Sequence, residues 1–297
     1  MVRDSFVAFI LSHGRCDNVQ TVDTLKRCGY TGKWLIVLDD EDTQIEDYKN
    51  KFGAEHIVVF SKKDIAKEFD IMDNFEGNKV ITYARNAVNH IAKDLGFDYF
   101  WELEDDYRDF CIRLEVGKHL PIIRIEDLDS IIELYLTFLD KTNIKTVAFA
   151  QTGEMMGGCG GEVWRSKVKR KAMNTFFFRT ENSPMTIGDQ FIGRMNDDVN
   201  WYITAGRTGK VILQTANCSL TQELTQQSKS GNTITYKAFG TYVKSFYSVM
   251  LRPDCVKISM LGTSVNTHKT DYRIHHKIDW KYCVPKIISS RFKKEVN

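Results

Sequence analysis

The sequence lacks a long hydrophobic run, a paired-cysteine motif and a proline-rich linker. No apolar stretch approaches the roughly 20 residues of a membrane-spanning helix, so we expect no membrane partner. The N-terminal apolar run is too short for a secretion signal and predicts a first strand. With only four prolines, no repeat and no low-complexity segment, the chain is expected to form a single domain over residues 1–297.

The seven cysteines are an odd number, are scattered along the chain and include no CxxC pair. This usage predicts reduced thiols in a cytoplasmic protein and indicates no zinc site. The net charge of +2 favours neither an acidic nor a basic partner, so a nucleic-acid contact has to come from a local patch. The 42% hydrophobic and 27% charged residues are typical of a globular enzyme.

Strand and helix patterns alternate through the first 150 residues. Apolar runs predict strands at residues 6–11, 34–38, 56–60 and 100–103, and apolar residues at helical spacing predict helices between them. Strands joined by helices of this length imply right-handed crossovers. The predicted fold class is therefore α/β, with a Rossmann-like, mainly parallel sheet flanked by helices and a more elaborate C-terminal half.

Three polar clusters directly follow predicted strands, at Ser12–Arg15, Asp39–Asp42 and Glu104–Asp106. Ligands bind at the carboxyl ends of the strands in such sheets. The agreement of the three positions predicts a binding site at this edge.

The acidic cluster is the most informative of the three. Glu104 and Asp106 are two residues apart in an extended segment, so they can share one cation while Asp105 faces elsewhere. Carboxylate oxygens favour Mg²⁺ or Mn²⁺, and such ions are usually completed by substrate phosphates. A solvated acidic turn is the alternative interpretation.

Arg85 and Asn86 lie on the predicted helix before the acidic strand, where a guanidinium can pair with phosphate and an amide can match a base edge. Asp39 and Asp40 can accept hydrogen bonds from a ribose or base, or they can cap the following helix.

Two further pairs occur in the second half. Asp197 and Asp198 precede a helix pattern at residues 199–207, where a carboxylate can act as a general base or as a helix cap. His275 and His276 can ligate Mn²⁺ as neutral imidazoles, or they can be surface residues.

A glycine-rich segment at residues 151–162 predicts a mobile loop, and a basic strip follows it. The strip consists of Arg165, Lys167, Lys169, Arg170 and Lys171. Its charges can neutralise the phosphates of a polyanionic acceptor, or they can belong to a solvated strand.

Several segments, in this order, resemble the GT-A glycosyltransferases, and within them the TET-associated glycosyltransferases. That group occurs largely in bacteriophages and adds sugars to modified pyrimidines in DNA. The resemblance depends on the segments Ser12–Arg15, Tyr83–Asn86, Leu103–Asp106, Lys171–Asn174, Asn196–Asp198, Gln222, Thr225–Gln226, Gly240–Met250 and Ile274–His276. One departure is Glu104, which stands where Asp is the common first residue of the acidic motif.

The resemblance implies a nucleotide-sugar-binding half at residues 1–150 and an acceptor-binding half at residues 151–297. The nucleotide of a UDP-sugar would be bound by Ser12, Arg15, Asp40, Arg85 and Asn86, joined by Asp39 and Asp105. Glu104, Asp106 and one of His275 or His276 would hold Mn²⁺ or Mg²⁺.

The implied acceptor is double-stranded DNA with a hydroxymethylated pyrimidine such as 5-hydroxymethylcytosine. Asp198, with Asp197 beside it, would be the acceptor-side carboxylate. The target base would be flipped out of the duplex, while the basic strip, Lys244 and Arg252 would hold flanking phosphates. Whether the sugar is glucose or a pentose such as arabinose stays open, as does inversion or retention.

Three alternatives remain at this point. A GT-A enzyme can act on a protein or polysaccharide hydroxyl. The same carboxylates also suit a metal-dependent nuclease or nucleotidyltransferase, and a catalytically inactive binding module can retain the fold.

Overall fold

A computed structural model describes residues 2–75, 79–155, 157–180, 189–222, 243–266 and 269–283. The chain divides into two compact units. The first unit comprises Met1–Glu68, Tyr83–Met185 and Val211–Leu224. The second unit comprises Phe69–Thr82, Thr186–Lys210 and Thr225–Asn297. The expectation of one domain with halves 1–150 and 151–297 stays a prediction.

The described part of the first unit contains ten strands in one sheet. They are β1 (Phe6–Leu11), β2 (Lys33–Asp39), β3 (Ile57–Phe60), β4 (Tyr99–Glu104), β5 (Tyr107–Arg113), β6 (Ile122–Arg124), β7 (Ile144–Gln151), β8 (Val168–Lys169), β9 (Phe176–Arg179) and β10 (Val211–Gln222). The helices between these strands in the chain are α1 (Gln20–Arg27), α2 (Ile45–Phe52), α3 (Lys62–Ile65), α4 (Thr82–Asp94), α5 (Leu128–Lys141) and α6 (Glu162–Ser166).

The sheet has the strand order β3-β2-β1-β4-β9-β7-β10-β5-β6, and β8 pairs with β10. The four strands from β3 to β4 are parallel to one another, as are β7 and β10. Helices α1, α2 and α4 connect the parallel quartet, and a parallel pairing requires such crossovers. The α/β class and the four strands expected from apolar runs are confirmed.

The rest of the sheet includes antiparallel strands. Strand β9 lies between β4 and β7 and is antiparallel to both. Strand β5 follows β4 after a tight turn and pairs with β10. Because these partners are far apart in sequence, local periodicity did not identify them.

Aromatic side chains fill the core of this sheet. All six residues of β1 are buried, as expected for a central strand covered on both faces. The ring of Trp101 in β4 stacks on Phe177 in β9, with 4.6 Å between centroids, and meets Phe149 in β7 edge-on at 5.5 Å. Such aromatic packing fixes the sheet positions that carry the strand ends.

The second unit is built around helix α7 (Asp197–Arg207) and helix α8 (Val243–Leu251). Arg194, just before α7, forms a two-pronged ion pair with Asp73, with N–O distances of 2.8 to 3.0 Å. The hydroxyl of Tyr247 in α8 also donates to Asp73. The carboxylate therefore ties the segment around residue 73 to both helices.

The second unit also contains a two-stranded antiparallel hairpin of β11 (Val256–Asn266) and β12 (Lys269–Ile278). Cys255 precedes the hairpin and Cys283 follows it, and the two form a disulfide with a Cα–Cα distance of 5.8 Å. The expectation of reduced thiols is wrong for this pair. A separation of 28 residues gives no short motif, and only the hairpin brings the two cysteines together.

In the described parts of the chain, no helix is long and apolar enough to cross a membrane.

Candidate active site

The carboxyl ends of β1, β2 and β4 lie side by side at one edge of the first unit. Leu11, the last residue of β1, is in register with Val37 of β2 and with Glu104 of β4. Because the three strands are parallel, the polar segments that follow them start at the same edge. The structure thus brings together the clusters at Ser12–Arg15, Asp39–Asp42 and Glu104–Asp106, as the sequence predicted.

Asp105 is buried and anchors the loop that follows β1. Its carboxylate accepts a 2.6 Å hydrogen bond from Ser12 Oγ and forms a 3.0 Å ion pair with Arg15. Tyr48 of α2 supports the same loop, since its hydroxyl lies 2.8 Å from Ser12 Oγ and accepts from the Arg15 backbone N–H at 2.9 Å. Asp105 therefore serves to position Ser12 and Arg15. Tyr48 was not anticipated from the sequence.

Arg85 is buried between two carboxylates. Its Nη2 donates to Glu104 Oε1 at 2.6 Å, its Nε lies 3.3 Å from Glu102 Oε1, and its guanidinium lies 5.1 Å from the ring centroid of Phe176. The neighbouring Asn86 is fully buried. In this arrangement Arg85 neutralises part of the acidic cluster. Nucleotide contacts of Arg85 and Asn86 stay predictions.

The acidic cluster has the donor chemistry of a divalent-cation site. Glu104 and Asp106 are partly exposed, in contrast to Asp105, and their carboxylates supply hard oxygen ligands. Burial, followed by the negative charges of Glu104 and Asp106, raises the pKa of the Tyr107 hydroxyl well above its usual value. This negative field suits a cation, and the residues present fit Mn²⁺ or Mg²⁺. No group of three or more His, Cys, Asp or Glu forms a ready metal cluster within the described ranges.

The end of β2 carries a second charged network. Asp39 Oδ2 lies 2.7 Å from His13 Nδ1, and the buried Lys62 ammonium lies 3.5 Å from Asp39 Oδ1. Burial raises the pKa of Asp39, but the hydrogen bond and charge of His13 and the charge of Lys62 outweigh it and lower the pKa. Asp39 is thus an ionised carboxylate at the strand end.

Asp40 and Asp42 accept hydrogen bonds from backbone N–H groups beside this network. Asp40 is exposed and accepts from the Lys62 backbone N–H at 3.0 Å, at the start of α3. Asp42 accepts from the backbone N–H of Gly14 at 2.7 Å and of Gln44 at 2.8 Å. Asp39 and Asp40 do not cap the following helix α2. His13 and Asp42 lie within the clusters Ser12–Arg15 and Asp39–Asp42 that the sequence indicated. No feature of the sequence indicated a role for Lys62.

Asp197 and Asp198 form the first turn of α7, directly after Asn196, which has a left-handed backbone with φ of 54°. Asn196 Nδ2 donates to the Lys244 carbonyl at 2.9 Å and to Ser248 Oγ at 3.3 Å, both in α8. Asp197 is buried and Asp198 is partly exposed. A general-base role of either carboxylate stays a prediction.

His275 and His276 lie in β12, opposite Ser259 and Ile258, with 4.3 Å between their ring centroids. Burial, then the charges of His275 and Lys244, lowers the pKa of His276 to about 4. Its imidazole is therefore neutral near pH 7, which is the form that ligates metals. Metal binding by either histidine stays a prediction.

The basic strip is not one continuous strand. Arg165 lies in α6, Lys169 in β8, and Arg165 and Arg170 are exposed. Lys167 has a φ of 58° and its ammonium lies 3.2 Å from the ring centroid of Trp164. Lys171 forms an ion pair with Glu154. Part of the positive charge expected for DNA is therefore used within the protein.

Arg252 is unsuited to the phosphate contact that we expected. It is buried, and its guanidinium donates to Asp254 at 2.8 Å and to the carbonyl of Ile203 at 2.8 Å. The resemblance segments at Thr225–Gln226 and residues 240–242 lie outside the described residues. Two other segments of the resemblance, Lys171–Asn174 and Gln222, are in contact in the structure. Asn174 Nδ2 donates a hydrogen bond to Gln222 Oε1 at 3.2 Å.

The geometry of a parallel α/β edge with an acidic turn agrees with the class of glycosyltransferases. A family model described as TET-Associated Glycosyltransferase matches residues 6–231, which is well over half of the 297-residue chain. The chain belongs to this family. The predicted GT-A-like fold class is confirmed. A comparison with curated proteins gave no match.

Solved structures of glycosyltransferases are similar to the chain at low identity. S. aureus TarS 1–349 is 11% identical with a TM-score of 0.42, over 84% of this chain and 65% of that one, so the chain spans less than two thirds of it. Glucosyl-3-phosphoglycerate synthase from Mycobacterium tuberculosis, in complex with Mn²⁺ and UDP-glucose, is 11% identical with a TM-score of 0.47, over 92% and 86%. GalNAc-T7 with UDP, GalNAc and Mn²⁺ is 13% identical with a TM-score of 0.39, over 84% and 51%.

Proposed function

We propose that the protein transfers a sugar from a UDP-sugar to the hydroxyl of 5-hydroxymethylcytosine, or of a related modified pyrimidine, in DNA. The observation that carries the proposal is the convergence of the three polar clusters at the carboxyl ends of β1, β2 and β4 in a chain of the TET-associated glycosyltransferase family. Glucose and a pentose such as arabinose are the candidate sugars.

The donor nucleotide binds at the loop after β1 and the end of β2. Arg15 and Ser12 are held in place by Asp105, and Asp39 stays ionised beside His13. An ionised carboxylate accepts hydrogen bonds from ribose hydroxyls or a base N–H. A loop fixed before binding reduces the conformational entropy lost when the nucleotide binds.

Glu104 and Asp106 would hold Mn²⁺ or Mg²⁺, together with His275 or His276 as the resemblance implies. When bound, the ion supplies Lewis-acid stabilisation of the negative charge on the UDP leaving group. Arg85 holds the Glu104 carboxylate in a fixed orientation through its 2.6 Å hydrogen bond. The cluster therefore presents its oxygens without large rearrangement.

On the acceptor side, Asp198 takes the proton from the hydroxymethyl group as the bond to the anomeric carbon forms and the bond to UDP breaks. Attack from the face opposite UDP inverts the anomeric centre, and a front-face reaction retains it. A base inside a duplex cannot reach a donor sugar in a closed pocket, so the target nucleotide is flipped out.

The test is UDP release with a panel of UDP-sugars, Mn²⁺ and duplex DNA that contains either cytosine or 5-hydroxymethylcytosine. We expect release only with the hydroxymethylated duplex, together with a matching mass gain on the DNA. Metal-dependent UDP binding without DNA-stimulated release would reject the DNA acceptor and leave a protein or glycan acceptor. Phosphodiester cleavage would instead identify a nuclease.

Asp198→Asn separates chemistry from binding in the same assay. We expect intact UDP binding and turnover lowered by about 10²-fold or more, because general-base catalysis contributes on that order. Asp279→Asn is the control, since Asp279 is an exposed carboxylate of the same unit and the hydrogen bond that it accepts from the Lys281 backbone N–H can be kept by an amide oxygen. Unchanged turnover in Asp198→Asn would show that Asp198 is not the general base.

A further inference from the structure

Asn174 is a buried carboxamide at the same edge of the first unit as the acidic turn. It precedes β9, which is antiparallel to β4 with Phe176 opposite Glu102, so the residues before Phe176 lie towards the carboxyl end of β4. Asn174 Nδ2 donates to Gln222 Oε1, and Gln222 is in register with Tyr107, the residue that follows the acidic turn. Asn174 therefore lies beside the turn that carries the candidate cation ligands.

One end of this carboxamide has a partner and the other end has none. Nδ2 is bonded to Gln222, whereas Oδ1 is buried and accepts no hydrogen bond from any residue that the structure describes. Asn174 is only 1% exposed. Burial of an amide oxygen without a donor costs free energy, because the oxygen loses its bonds to water and gains none in return. Oδ1 is therefore an acceptor that a ligand can satisfy.

The next residue, Thr175, has an unfavourable backbone conformation. Its φ of 51° lies in the left-handed region, which is rare for a β-branched residue. Thr175 Oγ1 accepts from the Phe149 backbone N–H at 3.0 Å and donates to the Asn174 carbonyl at 2.7 Å. Three residues before Asn174, Lys171 forms an ion pair with Glu154. Strained backbone persists where the surroundings fix it, and it clusters at ligand sites. The chain around Asn174 is thus held in one arrangement at a cost.

We propose that Asn174 accepts a hydrogen bond from a hydroxyl of the donor sugar, and that Gln222 orients Asn174 for this contact. This inference rests on the proposed function and adds a sugar contact to it. The strand order β2-β1-β4-β9 sets the position of the contact, since neighbouring strands are about 4.8 Å apart. With the nucleotide at β1 and β2 and the diphosphate at the end of β4, the sugar lies on the β9 side.

A sugar hydroxyl suits Oδ1 because it is a hydrogen-bond donor, whereas the phosphates of the donor are acceptors only. Oδ1 is covered in the folded protein, so the hydroxyl reaches it when neighbouring side chains move aside. A site that closes over its donor also suits sugar transfer, because water that is kept from the anomeric carbon cannot hydrolyse the donor.

Two other roles of Asn174 make different predictions. If Asn174 only ties the start of β9 to the end of β10, its variants lose stability and bind UDP and UDP-sugars as before. If Oδ1 is a ligand of the cation, as carbonyl oxygens can be, its variants lose Mn²⁺-dependent binding of UDP and UDP-sugars alike. Only a sugar contact changes the two affinities differently.

The experiment measures the dissociation constants of UDP, UDP-glucose and UDP-arabinose in the presence of Mn²⁺, without DNA. The quantity compared is the ratio of the UDP-sugar constant to the UDP constant. The variants are Asn174→Ala, Asn174→Asp, Gln222→Met and Gln222→Glu, and Tm is measured for each. Asn217→Ala is the control, because Asn217 is an exposed carboxamide in β10 of the same unit.

We expect Asn174→Ala to raise the ratio for at least one of the two sugars by about tenfold, because it removes the acceptor of a buried hydrogen bond. Asn174→Asp keeps an acceptor oxygen and should keep the ratio. Gln222→Met should raise the ratio by a smaller factor, and Gln222→Glu should restore it because a carboxylate still accepts from Nδ2. Asn217→Ala should behave like the wild type. If Asn174→Ala does not fold, the two variants of the partly exposed Gln222 make the test.

Monodeoxy analogues of whichever UDP-sugar binds more tightly identify the hydroxyl. For one analogue, the missing hydroxyl should weaken binding to the wild type by about tenfold, since a site built to bond a hydroxyl rejects a ligand without it. The same analogue should bind Asn174→Ala as well as the complete sugar does, because the partner is already absent.

Three results would overturn the inference. They are an unchanged ratio in both Asn174→Ala and Gln222→Met, an equal loss of UDP and UDP-sugar affinity, or analogues that the wild type and Asn174→Ala discriminate equally. The outcome is distinct from that of the proposed acceptor. If the ratio changes as expected but no hydroxymethylated duplex accepts a sugar, the sugar contact stands and the DNA acceptor is rejected. If the wild type modifies DNA and the ratio is unchanged, only this inference fails.

Discussion

At the scale of single residues, Asp105 determines the shape of the loop after β1. It is nearly inaccessible, and its two partners, Ser12 and Arg15, are both candidates for nucleotide binding. A hydrogen bond to a charged group contributes about 1.5–3 kcal/mol. The carboxylate is thus expected to support both the fold and the donor site.

We expect Asp105→Asn to lower the free energy of unfolding by about 1.5–3 kcal/mol and to weaken UDP binding, because the amide cannot form the ion pair with Arg15. Asp109→Asn is the control, since Asp109 pairs with Arg124 at the surface, where such pairs contribute about 0–1 kcal/mol. Urea unfolding and UDP titration measure the two effects. Equal stability losses in the two variants would refute the special role of Asp105.

Asp73 gives a prediction for pH. Burial raises its pKa, but the ion pair with Arg194 and the Tyr247 hydrogen bond outweigh burial and lower the pKa in the folded protein. A lowered pKa in the folded state contributes stability above the unfolded value, near 3.8, and this stability is lost as pH falls through the folded value. Asp73 should therefore stabilise the second unit at neutral pH and lose this effect below about pH 4.

Asp73→Asn should reduce stability at pH 7 by about 3 kcal/mol, because it leaves the buried Arg194 without its counter-charge. The loss should shrink as pH is lowered from 5 to 2, when the wild-type carboxylate becomes protonated. Denaturant unfolding at several pH values measures this convergence. A stability difference that is constant over the whole range would contradict the assignment.

At the scale of elements, sequence periodicity located the parallel part of the sheet but not its antiparallel part. The apolar runs of β1, β2 and β4 are buried on both faces, so each strand can be recognised from its own residues as a continuous hydrophobic segment. Strand β9 is only four residues long, and its position between β4 and β7 depends on partners more than 25 residues away. No local pattern contains that information.

The candidate site divides in the same way. The clusters at the strand ends were predictable because the ends of parallel strands meet at one edge. The pairing of Arg85 with Glu104, the burial of Asp105 and the Cys255–Cys283 bond were not, because each depends on side-chain geometry or on contacts distant in sequence. Residue type identified the location of the site, and the structure assigned partners within it.

The start of helix α7 depends on Asn196. Its left-handed backbone is unfavourable for residues with a side chain, and its amide donates to Lys244 and Ser248 of α8. We expect Asn196→Gly to lose only the side-chain hydrogen bonds, at about 1 kcal/mol each. Asn196→Ala should lose a further 1–2 kcal/mol, roughly, from backbone strain. Equal unfolding free energies for the two variants would show that the backbone is not strained at this position.

At the scale of the whole molecule, the two compact units provide a test of where the donor binds. Proteins with more than one such unit often unfold in more than one step. UDP and Mn²⁺ should stabilise the first unit, since they bind the folded state, by about 2.7 kcal/mol at 100 times the dissociation constant. The transition of that unit should move to higher temperature, by several degrees.

The metal-dependent part of this shift should require Asp106. We expect Asp106→Asn to retain a small shift with UDP alone and to lose the additional shift with Mn²⁺, because the cluster then has one carboxylate fewer to bind the cation. Asp94→Asn, an exposed carboxylate at the end of α4, is the matched control and should respond like the wild type. Scanning calorimetry with and without UDP, Mn²⁺ and a chelator makes the measurement. A full Mn²⁺-dependent shift in Asp106→Asn would place the cation elsewhere in the protein and would leave the acidic turn as the anchor of the loop after β1.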